Sequence, residues 1–244
     1  MKSKVSIIVP VFNAIDHVLS FEESNLKFLL QYSNDVTDFE LIFIDGESVD
    51  GTLDELYKLS EKYNFIHLFS EKDEGIYDAM NKGIQYSNSE FVYFLGMDDV
   101  LLPGFFNMLE KLNSEYDIFY GYVNLTSSGL PYKRGFNFKD IVKENVCHQS
   151  CFYNKKILLE KPYELKYKIL SDWASNIFFS KNASSCYFDF SICKYNDQDG
   201  VSSCQVDTDF RNDRIKIIYG SYGFFGVLNF FYLMLFYKLR RLIC

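Results

Sequence analysis

Four short apolar runs, each followed by a helix-like stretch, constrain this chain more than any other feature. Val5 to Val9, Phe39 to Ile44, Phe65 to Phe69 and Phe91 to Leu95 read as strands, being rich in Val, Ile, Leu and Phe. Between and after them, Ile15 to Tyr32, a segment opening at Thr52, Ile76 to Tyr86 and Pro103 to Leu112 carry helical spacing. Thr52 and Glu55 stand at the separation of a capping box, with Leu53, Leu56 and Leu59 on one face. The expectation is an α/β fold with a mostly parallel central sheet flanked by helices, its working loops at the carboxyl ends of the strands. Three of those ends carry acids: Asp45, Asp73 and the pair Asp98-Asp99.

The pair is unusual because Phe94-Leu95-Gly96-Met97-Asp98-Asp99-Val100 runs straight from buried-strand chemistry into two carboxylates. Open α/β sheets bind ligands in the crevice at such strand ends. Two acids there suit a hard divalent cation whose shell is completed by substrate phosphates. The competing reading is a turn in which Asp98 or Asp99 caps the helix starting near Pro103. Asp45 is placed to accept a hydrogen bond from a nucleobase ring N–H, and Phe12 to stack on the base. Equally, Asp45-Gly46 is a common turn pair and Phe12 a candidate core residue. Neither GxGxxG nor GxxxxGK[ST] occurs, which disfavours dehydrogenases and P-loop enzymes and leaves phosphate to be held through a cation.

Composition narrows the classes further. With 244 residues, 48% hydrophobic and 24% charged, the chain can bury a sizeable core. A net charge of −8 argues against a general nucleic-acid binder. Met1-Lys2-Ser3-Lys4 leads into an apolar run that stops at Pro10, too short for a secretory leader, so a cytoplasmic location is expected. Cys147, Cys151, Cys186, Cys193, Cys204 and Cys244 are then expected as reduced thiols, and Cys147-His148 with Cys151 lacks the second matched pair of a zinc site.

Taken in order, four blocks resemble the family 2 glycosyltransferases. They are Ser6-Ile7-Ile8-Val9-Pro10-Val11-Phe12-Asn13, Ile44-Asp45-Gly46 through Thr52, Glu71-Lys72-Asp73-Glu74-Gly75 through Gly83, and Leu95-Gly96-Met97-Asp98-Asp99. The likeness is to small bacterial enzymes of the colanic-acid and O-antigen type. It implies a GT-A fold, a nucleotide-diphosphate sugar donor with UDP-sugars foremost, a Mg²⁺ or Mn²⁺ ion, and inversion at the anomeric carbon. It also implies an acceptor that is a saccharide, free or polyprenyl-linked. By the same resemblance Phe12 and Asp45 hold the nucleobase, Pro10 and Asn13 shape that loop, and Asp73 lies beside the nucleoside. Asp99 becomes the metal ligand, and Asp98 meets the ribose. Gly96 stands where many relatives carry the first Asp of a DxD motif, so one expected carboxylate is missing. A catalytically silent GT-A domain that binds nucleotide-sugar or acts as a scaffold is the alternative that this gap supports.

The second half carries weaker signals. Val146-Cys147-His148-Gln149-Ser150-Cys151-Phe152 resembles the family's His-Gln block, and Ile169-Leu170-Ser171-Asp172-Trp173 its Ser-Asp block, in which the Asp is the catalytic base. Without the resemblance Asp172 reads equally as a helix cap. His148 either contacts donor or acceptor or is a satisfied structural histidine. Asp199-Gly200-Val201-Ser202 resembles a late Gly-Val-Ser loop. The implied organisation is a catalytic domain over 1–205, with a nucleotide-sugar half at 1–113 and an acceptor half at 114–205, followed by a helical tail at 206–244.

That tail changes character. From Arg214 onward the charges are Arg214, Lys216, Lys238, Arg240 and Arg241, with no acid, around an uncharged stretch from Ile217 to Tyr237. Three readings compete: a bilayer span, an interfacial helix on the inner face of the cytoplasmic membrane, and a buried helix covering the core. Three glycines, Ser221 and Asn229 within the stretch favour the interfacial reading over the span.

Overall fold

The computed structural model describes residues 3–32, 38–198 and 206–243. The resemblance's Gly-Val-Ser loop and Cys204 fall outside them. The first half follows the expected alternation: β1 (Val5–Val11), α1 (Ile15–Phe21) continuing through a π-helical turn (Glu22–Leu26) into α2 (Lys27–Tyr32), β2 (Phe39–Asp45), α3 (Thr52–Lys62), β3 (Ile66–Ser70), α4 (Ile76–Tyr86) and β4 (Phe91–Phe94). The remainder adds β5 (Val100–Leu101), α5 (Gly104–Leu109), β6 (Ile118–Leu125), β7 (Pro131–Tyr132), α6 (Phe138–Ile141), a 3₁₀ turn (His148–Ser150), β8 (Cys151–Asn154), α7 (Lys155–Glu160), α8 (Ser171–Asn182), β9 (Ser185–Tyr195) and α9 (Thr208–Ile243).

All nine strands join one sheet in the order β3-β2-β1-β4-β8-β6-β9-β5, with β7 on β6. β1, β2, β3 and β4 are parallel to one another. Beyond β4 the sheet becomes mixed, because β8 enters antiparallel between β4 and β6. β1, β2 and β4 bury both faces, which is why they read as apolar runs, whereas the edge strand β3 buries only Ile66. Ile7, Val9, Leu41, Phe43, Phe91 and Tyr93 pack into one core. Their alternate neighbours Ile8, Ile42, Ile44, Val92 and Phe94 pack into the other.

The capping box is not formed. Thr52 is fully buried, its hydroxyl accepting from Ala14 N–H (2.8 Å) and donating to Asp50 Oδ1 (2.6 Å). Glu55 pairs with Lys58 instead. A stronger local demand, tying the β1–α1 loop to the start of α3, takes the hydroxyl away from the cap. The tail is one helix interrupted at Gly223, whose φ of 65° turns the backbone out of helical geometry. One side of it covers the core through buried Ile218 and Phe230. The other side leaves Phe224, Phe225, Phe231, Tyr232, Leu235 and Phe236 exposed.

Candidate active site

β1 lies between β2 and β4 in the sheet, so the chain leaves it in one direction for β2 and β3 and in the other for β4. Such a reversal of strand order opens a crevice at the carboxyl ends. The β1–β4 ladder ends at Ile8 and Phe94, so Pro10, which has no N–H to donate, sits beyond the pairing to β4. Val11 pairs with Asp45, and Asp45 with Ser70, which places the Phe12, Asp45 and Asp73 loops side by side.

These three loops are braced as a unit. Asn13 adopts φ 47°, a left-handed conformation that Asn tolerates, and so accepts from Val49 N–H (2.9 Å) while its own N–H donates to Ser48 Oγ (2.8 Å). Asp45 is fully buried and accepts from Ser70 Oγ (2.6 Å) and the Ser48 N–H. Asp73 accepts from Gly75 N–H (2.9 Å). A methyl group added at Gly46 would stand 2.5 Å from Asp73 Oδ2 and 3.3 Å from the Phe12 ring, so glycine there lets the acid and the ring approach. Phe12 itself is 63% exposed, which removes the core reading.

The acid pair divides into a buried member and an accessible one. Asp99 is 2% exposed and accepts from Asn196 N–H (2.9 Å), Gln149 Nε2 (3.0 Å) and Gly96 N–H (3.1 Å). Burial pushes its carboxyl up to about 6, against the pull of the Asn196 N–H and with the help of the Asp98 charge. Asp98 is half-buried and accepts from Asn196 Nδ2 (2.9 Å). Three protein donors therefore occupy the carboxylate expected to be the open metal ligand, while its neighbour keeps the more accessible position. Gly96 fits the same arrangement: a methyl group there would lie 2.7 Å from Asp99 Oδ2 and 2.9 Å from Asp98 Oδ1. Neither acid caps α5, which has no side-chain cap.

The π-helical turn serves this loop. It widens the helix at Asn25 and buries that amide, which donates to Asp99 O (2.8 Å) and accepts from Leu101 N–H (2.8 Å). Such single-turn insertions recur at functional sites.

On the far wall, Asp172 sits in the first turn of α8, 5% exposed, in a helix with no side-chain cap, so the cap reading fails. Its Oδ1 lies 2.7 Å from Tyr77 Oη, whose single proton is shared with Ile169 O (2.5 Å); its Oδ2 accepts from Asn145 Nδ2 (2.6 Å) and lies 3.2 Å from His148 Nδ1. Burial and the Asp172 charge hold the Tyr77 phenol well above its ordinary value, so it stays a donor. Asn145 is fixed in turn, accepting from Asn176 Nδ2 (3.0 Å). The turn His148–Ser150 links the two acidic centres: His148 meets Asp172, and the next residue, Gln149, meets Asp99.

Sequence reasoning pointed to both acids but missed Asn25, Tyr77, Asn145 and Asn196, which hold them. Tyr77 lies inside a quoted block; the asparagines carry no periodicity or spacing that would single them out. Among the described residues no three His, Cys, Asp or Glu side chains converge as a metal cage. Cys147, Cys151, Cys186 and Cys193 are free thiols.

Comparison with known proteins identifies the family and the fold. The family model for Glycosyl transferase family 2 matches residues 6–188. A PGL/p-HBAD biosynthesis glycosyltransferase of Mycobacterium bovis is 33% identical over 187 residues, covering 71% of each chain. The structure of S. aureus TarS in complex with UDP-GlcNAc superposes with a TM-score of 0.73 at 17% identity, covering 90% of this chain and 67% of that one. The mannosyltransferase PcManGT of Pyrobaculum calidifontis, in complex with GDP-Man and Mn²⁺, gives 0.61 at 12% identity, covering 88% and 62%. These likenesses establish the GT-A fold, and the chain belongs to glycosyltransferase family 2.

Proposed function

We propose that this chain transfers a sugar from a UDP-sugar to a saccharide acceptor with inversion at the anomeric carbon, Asp172 acting as the base. The observation that carries the proposal is the His148–Gln149 turn, which ties a buried carboxylate on one wall of the crevice to the acid pair on the other. Phe12 would stack on the base, with Pro10 and Asn13 shaping its loop, Asp45 accepting from the ring N–H and Asp73 lying beside the nucleoside. UDP is chosen over other nucleotides on the TarS complex alone.

The donor set fits a divalent cation shared with substrate phosphates and does not fit a cage made by protein alone. One accessible carboxylate plus phosphate oxygens is a common arrangement for Mg²⁺ or Mn²⁺. We assign Asp98 as the residue that would hold it, with Asp99 as the buried brace of the loop, which reverses the roles implied by the resemblance. When bound, the ion supplies Lewis-acid stabilisation of the departing diphosphate.

The chain's own residues account for the proton. An ionised carboxylate offers about four lone-pair sites, and Tyr77, Asn145 and His148 engage three of those on Asp172. The remaining site on Oδ1 takes the acceptor hydroxyl proton as that oxygen bonds to C1. The C1–oxygen bond to the diphosphate breaks on the opposite face, and its electron pair leaves with UDP. Asp172→Asn should lower turnover by about 10²–10⁴-fold, while UDP affinity measured by calorimetry stays at the wild-type value. Unchanged turnover would refute the base.

A second reading has its own support. The His148 side chain is 20% exposed against 7% for Asp172. With Nδ1–H donating to Asp172, its Nε2 would be the base and the carboxylate its orienting partner. His148→Gln separates the two: a loss as deep as that of Asp172→Asn supports the histidine.

We also propose a cytoplasmic protein whose α9 rests on the inner membrane face. The most apolar 18-residue window of Thr208–Phe236 has a mean hydropathy of 1.4, yet only 17% of it is buried, unlike a core helix. Its basic flank suits anionic headgroups. Arg214 is not part of that flank, being half-buried, stacked on Trp173 (4.7 Å) and donating to Lys143 O (3.2 Å). Co-sedimentation with vesicles containing phosphatidylglycerol, lost in Phe225→Asp, is the expected result.

A further inference from the structure

A cavity of about 620 Å³ lies outside the crevice, between the β6–β7 hairpin, the start of β9, α6 and the outer turns of α9. Its volume falls within the roughly 300–1,000 Å³ of small-molecule sites. Tyr120, Tyr187, Lys133, Arg134, Glu144 and Met234 are among its walls. β6 is separated from β4 by two antiparallel pairings and so runs parallel to it, and it gives Tyr120, opposite Tyr187 of β9, to the cavity.

Two of the three cations on the cavity wall are already paired. Lys133 pairs with Asp189 (2.5 Å) and lies over the Tyr122 ring (4.1 Å). Arg134 pairs with Glu144 and lies over the Tyr132 ring (4.5 Å). Lys143 and Asp140 add one charge of each sign. A phosphate site draws on several cations without such partners, and here only Lys143 among the described wall residues is left without an ion pair. Paired cations and carboxylates instead present donors and acceptors in alternation, beside the half-exposed face of Tyr187, which is 42% exposed. That combination matches a ring with an apolar face and vicinal hydroxyls, each of which both donates and accepts.

The cavity is also joined to Asp172. Tyr132 Oη donates to Asn145 O (2.9 Å), and Asn145 Nδ2 donates to Asp172. Glu144, on the cavity wall, is the residue before Asn145. A ligand that moves this wall acts directly on the residue holding Asp172.

We propose that this cavity is the acceptor subsite and that it takes an uncharged pyranoside, packed on Tyr187 and hydrogen-bonded by the Arg134–Glu144 and Lys133–Asp189 pairs. The assignment rests on the transferase reading above, but its test needs neither donor nor turnover. Saturation-transfer NMR with methyl glycosides of glucose, galactose, mannose, rhamnose and N-acetylglucosamine, and separately with inorganic phosphate, is read on the full chain. At least one glycoside is expected to bind, with affinity reduced about fivefold or more in Tyr187→Ala and kept in Tyr187→Phe and Asp98→Asn. Glu144→Gln, at an exposed side chain, should weaken binding similarly and carries the test if Tyr187→Ala does not fold. Binding of none of the glycosides, binding indifferent to both substitutions, or displacement by phosphate would overturn the site. Glycoside binding without any UDP-sugar turnover would overturn the transferase reading and leave the site standing.

Discussion

The crevice formed by β1 to β4 and the cavity beside α9 are built in opposite ways. In the first, backbone carries the geometry: Phe12, Asp45, Asp73 and Asp98 follow strand ends, and their loops are cross-tied by Asn13, Ser48 and Thr52. In the second, long side chains from the segment after β7 pair with Asp189 of β9 and with Glu144 after α6 to make the walls. A nucleotide is a constant ligand, and a rigid cradle suits it. An acceptor varies between enzymes, and a surface of exchangeable side chains on a fixed hairpin can be respecified without disturbing the fold. Asp172 stands between the two, held by Tyr77 from the first region and by Asn145 from the second.

Substitutions that separate the regions sharpen this contrast. The largest effect is expected at Asp98. Loss of even an outer-shell partner costs about 10–100-fold in metal affinity, so Asp98→Asn should lower UDP affinity about 100-fold in Mn²⁺ and little in EDTA. An equal loss in both conditions would break the assignment. Phe12→Ala should weaken UDP by about 1–3 kcal/mol of stacking with or without metal, read by the same calorimetry. Gln149→Ala removes a donor from buried Asp99 and should cost about 1–3 kcal/mol, lowering Tm by about 2–10 °C. An unchanged Tm would show that Asp99 does not depend on its brace. The smallest effect is expected at Asn13→Gly, where relief at φ 47° offsets the lost bond to Val49 N–H; denaturant midpoints should move by less than about 1 kcal/mol.

The two regions also differed in how far they could be read from sequence. The parallel half was legible because β1, β2 and β4 are buried on both faces and each functional loop follows its strand within a few residues. What failed there failed to tertiary demand: Thr52 gives its hydroxyl to Ala14 and Asp50, and the π turn at Glu22–Leu26 exists to aim Asn25 at the acid loop. In the second half β8 inserts between β4 and β6, far from either in sequence, and β9 shifts register along β6 at two points. No local pattern announces such pairings. His148, Gln149 and Asp172 were therefore visible as residues, while their convergence with Tyr77, Asn145 and Asp99 was not.

The central claim is that this crevice opens a UDP-sugar by single displacement. It is tested most directly by incubating the purified chain with α-configured UDP-sugars, Mn²⁺ and the glycoside panel, and reading the new anomeric proton by NMR. UDP release with a β-linked product is the expected result. An α-linked product, or no UDP release from any donor, would contradict it.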